Sequence, residues 1–126
     1  MHVVMAIDEG YAPHAAVTIA SSLDHAGDPD VLSFYILEDG SLSDTTRKKL
    51  EKTAQGKLDF VLVDGESFAD MPANREYISR ATYYRLAMHT ALPRDISKVI
   101  YIDSDTVVTD ALEHLWNIPL NGHPIG

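Results

Sequence analysis

Lys98-Val99-Ile100-Tyr101-Ile102-Asp103-Ser104-Asp105-Thr106 is the stretch on which the reading of this chain turns. Its apolar centre predicts a strand from Lys98 to Ile102, and the run breaks abruptly at two acids. Open α/β sheets hold ligands outside the carboxyl ends of their strands, which is where these acids would stand. Two carboxylates at i and i+2 can meet one cation if the loop turns between them, and hard divalent ions take oxygen ligands. Asp-x-Asp also recurs by chance, and two acids can simply solvate a strand end. The motif gains weight from the strand in front of it.

Working outward, the rest of the chain alternates strands with helices. Val3 to Ile7 reads as a buried strand, and Asp8 to Pro13 as a turn in which Gly10 permits positive φ and Pro13 suits a first helical turn. Ala15, Ile19, Ser22 and Leu23 recur at helical spacing until Gly27-Asp28-Pro29 ends the helix. Val31 to Leu37 predicts a second strand, with Leu32, Phe34 and Ile36 alternating with less buried partners. Ser43 precedes a polar helix from Asp44 to Ala54 that stops near Gly56, and Leu58 to Val63 predicts a third strand. The segment from Asp64 to Asn74 is irregular and is expected to cover something. Ser79 to Ala91 predicts a helix stopped before Pro93, and Ala111 to Trp116 a shorter one. This alternation argues for an α/β fold with a mainly parallel sheet and helices on both faces. His123-Pro124-Ile125-Gly126 reads as the start of a new strand, so the fold is expected to be truncated.

The 126 residues fit a single domain, and 45% hydrophobic residues are too many for a disordered chain. No apolar run approaches the ~20 residues of a membrane helix, and the first apolar stretch is too short for a signal peptide. A cytoplasmic protein with no transmembrane segment is expected. The absence of cysteine removes disulfides, thiolate metal sites and thiol nucleophiles. A formal net charge of −9 argues against unaided binding to nucleic acid or anionic membrane. A diphosphate is still compatible with such a chain if a divalent metal carries the missing positive charge.

Further candidates lie near the predicted strand ends. Asp8 could accept a base N–H or a ribose hydroxyl and Tyr11 could stack on a base; equally, Asp8 could cap a helix and Tyr11 could pack. Thr82, Arg85 and His89 share one helical face, beside a stripe of Tyr77, Ala81, Tyr84 and Met88 that reads as core. Arg85 wants an anionic partner, and Asp103 or a phosphate would serve; the alternative is a surface arginine with its stem packed on tyrosines. Arg47, Lys48, Lys49 and Lys52 read as a solvated basic face. There is no glycine-rich dinucleotide fingerprint, Walker loop or nucleophile elbow, and no histidine pair at metal-binding helical spacing.

Three segments in order, Val3 to Tyr11, Ala81 to Leu86 and Lys98 to Thr106, followed by Leu115-Trp116, resemble the N-terminal part of family 8 glycosyltransferases. The resemblance runs essentially end to end. It implies a Rossmann-like GT-A fold, residues 1–126 forming a single nucleotide-binding half-domain, and retaining transfer from a UDP-sugar. It also implies that Asp103 and Asp105 hold Mn²⁺ (or Mg²⁺) and that Asp8, Tyr11 and the backbone around Ala6 meet the nucleoside. Arg85 would reach the donor sugar or diphosphate, Asp103 a sugar hydroxyl, and Ser104 the ribose through its backbone. Gly10 departs from the family's frequent Asn. His114 and His123 fall too early for the family's metal histidine, and no residue is assigned as catalytic. The acceptor, a saccharide or lipopolysaccharide-type molecule, is not specified.

Two other readings compete. The tract Ile102 to Val107 also satisfies the pattern of haloacid-dehalogenase-like phosphatases, but no lysine follows Asp105 to complete that site. A non-catalytic nucleotide-binding fragment would expose a sheet edge and an apolar face, and would be expected to form dimers or larger homo-oligomers.

Overall fold

The computed structural model describes residues 1–64, 68 and 80–126. Four strands, β1 (His2–Ala6), β2 (Ser33–Glu38), β3 (Leu58–Leu62) and β4 (Ile100–Tyr101), form one sheet in the order β3-β2-β1-β4. Every pairing is parallel. The chain therefore lays β2 and β3 down on one side of β1 and then crosses to place β4 on the other. This reversal creates a crevice between β1 and β4 at the carboxyl ends of the strands.

Both faces of the sheet are covered, as the alternation of elements predicts. Helices α1 (Ala12–His25) and α2 (Asp44–Thr53) cover one face. There Val3, Met5, Ile7, Phe34 and Ile36 pack with Ala15, Ile19, Leu23 and Leu50. The opposite face buries Val4, Tyr35 and Leu37 with Ala81 and Tyr84. Fully burying such side chains contributes about 1.5–3 kcal/mol each, so the interior strands β1 and β2 carry most of the sheet's stability. The predicted alternation in β2 is thus only half realised. Leu32, Phe34 and Ile36 are buried, but so are Tyr35 and Leu37, because an interior parallel strand faces apolar layers on both sides.

The predicted boundaries shift for local reasons. Asp28 caps a 3-10 turn over Pro29–Val31, delaying β2 to Ser33. Ser43 caps α2 as expected, accepting from the Thr46 amide, and Gln55 at φ 56°, followed by Gly56 at φ 77°, takes the left-handed conformation that closes its end. Gly10, by contrast, does not occupy positive φ. A Cβ there would lie 3.3 Å from Asp8 Oδ1, so close approach to that carboxylate is what glycine permits. The strand predicted over Lys98 to Ile102 shrinks to two residues, since only Val3 and Val4 of β1 pair with it before the chain turns into the acidic loop. The final four residues form no strand.

The helix predicted from Ser79 to Ala91 starts outside the described residues, as does Tyr77. From Ala81 it runs as α3 (Ala81–Tyr84), a 3-10 turn over Arg85–Ala87, and α4 (Met88–Ala91). The tighter turn adds roughly 60° of rotation over three residues relative to an α-helix. Of the segment 64–74 the structure describes Asp64 and Phe68, and the Phe68 ring lies against buried Tyr84 at 6.0 Å. A short α5 (Glu113–Trp116) follows the acidic loop. Lys98 Nζ reaches back from the start of the β4 segment to the carbonyls of Trp116 and Ile118.

The basic face of α2 is not simply solvated. Arg47 Nη2 donates to Glu38 Oε1 at 2.6 Å and its guanidinium lies 4.7 Å from the centre of the Phe60 ring. Glu38, at the end of β2, is 2% exposed, and its second oxygen accepts from the Gly40 amide. Removing one partner of a buried pair leaves an uncompensated charge, so Arg47→Ala should cost about 3 kcal/mol in a denaturant titration. A loss below about 1 kcal/mol, the range of exposed pairs, would mean that solvent screens Glu38 after all.

Candidate functional site

The crevice between β1 and β4 opens into a cleft of about 190 Å³. Its walls come from three segments far apart in sequence. Ala6 ends β1, and Ile7 and Tyr11 follow it; Ala81, Thr82 and Arg85 belong to the helical segment; Tyr101 ends β4, and Asp103, Ser104 and Asp105 follow it. The parallel sheet brings the first and third together because both strands end at the same edge.

Asp103 and Arg85 form the central contact. Arg85 Nη2 lies 3.2 Å from Asp103 Oδ1, and its Nε donates to the Thr82 carbonyl at 2.8 Å. The guanidinium also sits 4.9 Å from the centre of the Tyr101 ring. It is therefore held by an anion, a carbonyl and an aromatic face, which aims a fixed positive charge into the cleft. Burial pushes the Tyr101 hydroxyl pKa up; Arg85 opposes that shift and the Asp103 charge adds to it. The phenol stays neutral at physiological pH. The Asp103 side chain is 59% exposed and Arg85 38%, so both stay accessible to a ligand.

Asp8 behaves first as a cap. Its Oδ1 accepts from the Tyr11 amide at 3.1 Å, closing a 3-10 turn over Glu9–Tyr11, and it does not line the cleft. Tyr11 does line it and is 37% exposed, its ring 5.4 Å from that of His14. Glu9 pins the same turn to the start of α2. Its carboxylate accepts from the Ser43 amide at 3.0 Å, the Ser43 hydroxyl at 3.0 Å and the Thr46 hydroxyl at 2.6 Å. Across the sheet end, the Tyr84 hydroxyl donates to Asp39 Oδ2 at 2.8 Å. Tyr84 is raised well above its ordinary value, by burial first and by that bond second.

Sequence and overall fold both match a known family. The pattern of glycosyl transferase family 8 covers residues 2–126. The chain belongs to glycosyl transferase family 8. A Haemophilus influenzae protein named as a glycosyltransferase is 34% identical over 126 residues, covering 98% of this chain and 37% of its own. General stress protein A of Bacillus subtilis is 27% identical over 124 residues, covering 95% and 43%. The crystal structure of galactosyltransferase LgtC in complex with donor and acceptor sugar analogs superposes with a TM-score of 0.86 at 32% identity, over 95% of this chain and 43% of that one. The family 8 chain thus has the GT-A fold of LgtC and spans well under half the length of these relatives. Family and fold stand against the phosphatase reading.

Of the residues singled out in the sequence, the structure gathers Ala6, Tyr11, Arg85, Asp103, Ser104 and Asp105 around one cleft. Asp8 stands beside it. His89 does not join Thr82 and Arg85, because the 3-10 turn rotates it away; its Nδ1 lies 3.2 Å from the Leu86 carbonyl. Among the described residues no group of three or more acidic, histidine or cysteine side chains is placed to hold a metal ion. Tyr101, the last residue of β4, lines the cleft as well, and its signal in the sequence is its place at the end of the apolar run, two residues before Asp103.

Glu9 offers a test of how its turn is held. Its pKa is lowered, by the Thr46 hydrogen bond first, so its contribution is complete above the unfolded-state value and is lost as pH falls through the folded-state value. Glu9→Gln should be less stable than the wild type near neutrality. That difference should shrink as pH drops below about 4.3, the ordinary glutamate value. Thermal denaturation of both proteins across that range checks it, and a constant difference would show that the carboxylate charge contributes nothing.

Proposed function

We propose that the cleft binds the nucleotide part of a UDP-sugar donor, with a divalent metal, for retaining sugar transfer to a saccharide acceptor. The observation that carries this reading is the convergence of Asp103, Asp105, Arg85 and Tyr11 on one cleft where the strand order reverses.

The donor set fits a hard cation. Asp103 and Asp105 offer carboxylate oxygens from either side of Ser104, the ligand chemistry that Mn²⁺ or Mg²⁺ takes, with water and phosphate oxygens able to complete the shell. When bound, such an ion supplies positive charge against the diphosphate of the departing nucleotide. The chain's own groups do the rest of the binding. Arg85 adds a fixed cation for the diphosphate or a sugar hydroxyl. Tyr11 presents an exposed ring to the base. Ala6 brings its backbone close because its side chain is small, and Asp8, with Ser104 through its backbone, would meet the nucleoside. Asp103 would also touch a donor-sugar hydroxyl. In an acidic chain, the metal and Arg85 together make an anionic ligand acceptable.

Residues 1–126 act in this reading as one nucleotide-binding unit. The relatives are more than twice as long, so we assign the chain donor binding and no catalytic residue. Isothermal titration of UDP should give Mn²⁺-dependent binding that EDTA abolishes. An Asp103→Ala, Asp105→Ala protein should lose it. UDP binding that is unchanged by EDTA and by the double substitution would overturn the assignment of the acidic pair.

A second reading draws on the β4 side of the molecule. Beyond β4 lies an apolar groove of about 520 Å³ formed with Leu115, Ile118, Leu120 and Ile125, of which Leu115, Ile118 and Ile125 are exposed. Such a surface favours self-association, with or without nucleotide. Light scattering over a concentration series should show a rising mean mass, and a constant monomer mass would remove this reading.

A further inference from the structure

The loop that carries the acidic pair has an anchor outside the cleft. Thr18, in the middle of α1, is completely buried, and its hydroxyl lies 2.8 Å from the Ser104 carbonyl and 2.6 Å from the Thr106 carbonyl. The same hydroxyl lies 3.3 Å from the His14 carbonyl one turn back in α1. One turn further along, the Ser21 hydroxyl accepts from the Val108 amide at 3.0 Å while donating to the Thr18 carbonyl at 3.1 Å. Among the described residues, the hydrogen bonds that tie 104–108 to another element end on these two side chains. The loop has no ladder of its own once Ile102 has donated to Val4.

A threonine hydroxyl carries one hydrogen. Two carbonyls from alternate residues of the loop converge on it, which requires the chain to turn around Asp105 with both carbonyls pointing inward. The peptide units between them are then fixed, and the Asp105 side chain is left on the outside of the turn, where it lines the cleft. That one hydrogen is shared between the two carbonyls; without it neither would have a donor on α1, and the loop would have to rearrange to satisfy them.

We propose that Thr18 is a positioning residue for the metal-binding loop: its hydroxyl clamps the Ser104 and Thr106 carbonyls from behind and so presents Asp103 and Asp105 together to one divalent cation. This rests on the donor site proposed above. Thr18 touches neither nucleotide nor metal in this arrangement and acts only through the loop backbone.

The test compares the wild type with Thr18→Val, which keeps the shape and removes the hydroxyl, and Thr18→Ser, which keeps the hydroxyl and removes a methyl group. Ile36→Val, a core change in β2, serves as a stability control. Mn²⁺ affinity in the presence of UDP is read from the electron paramagnetic resonance signal of free Mn²⁺, and amide hydrogen exchange of residues 103–108 is followed without ligand. Thr18→Val should weaken Mn²⁺ binding about 10- to 100-fold, as loss of a supporting outer-shell contact does. It should also speed exchange in the loop. Thr18→Ser should retain both properties, and Ile36→Val should retain both despite its own lower Tm. Wild-type affinity and exchange in a folded Thr18→Val protein would overturn the inference while leaving the donor site standing. A Thr18→Ser protein as impaired as Thr18→Val would overturn it too, since packing and not the hydroxyl would then be responsible. Failure of the wild type to bind Mn²⁺ with UDP would instead sink the donor site itself and this role with it.

Discussion

Parallel pairing on both sides of β1 is the constraint from which the rest of the molecule follows. A parallel strand cannot return by a tight turn, so each crossover must carry the chain back over a face of the sheet before the next strand begins. With β2 on one side of β1 and β4 on the other, the two outgoing loops diverge and leave a crevice between them. Every strand end points to the same edge, so Asp8, Asp39 and Asp103 all emerge there without any contact having to draw them together. The geometry of the cleft is set by hydrogen bonds of the sheet before a single functional side chain is placed.

Electrostatics then works against that arrangement and is answered locally. Gathering acids at one edge of a chain with formal charge −9 raises the local negative potential. Three of the acids at this edge have partners: Asp8 the Tyr11 amide, Asp39 the Tyr84 hydroxyl, Asp103 the Arg85 guanidinium. Glu38, one residue inside the edge, is neutralised by Arg47 from α2. The partners come from different elements, so the same contacts that offset the charge also fix α2 and the Ala81–Ala91 segment over the sheet. Arg85 has a further property. Its partner Asp103 is more than half exposed, and an exposed ion pair contributes little to stability, so the pair is free to exchange one anion for another.

Support for the acidic loop comes from behind. Regular structure ends at Tyr101, and the next described helix begins at Glu113. Between them the backbone is held by hydroxyls of α1, a helix whose buried side would otherwise be entirely apolar. Buried hydroxyls in a helix are tolerated when each finds an acceptor, and here the acceptors are loop carbonyls and the helix's own. A rigid helix packed on two strands is a firmer support for such a loop than solvent or another loop would be.

Much of this was legible in the residues themselves. Alternating apolar runs and capped helical segments give the order of elements and the α/β class, because side-chain periodicity reflects backbone geometry directly. Ser43 as a cap, Gly56 as a stop and the acids after Ile102 belong to the same local chemistry. Sequence could not show which strands are neighbours. Nor could it show that β2 is buried on both faces, that Arg47 answers a buried Glu38, that His89 rotates away from Arg85, or that Thr18 faces the acidic loop. Each of these joins residues separated by a tight turn of unforeseen pitch or by many positions along the chain. Periodicity describes one element at a time, and only packing decides what that element meets. The chemistry of the candidate ligands is therefore written in the sequence, and their convergence on a single cleft is a property of the tertiary fold.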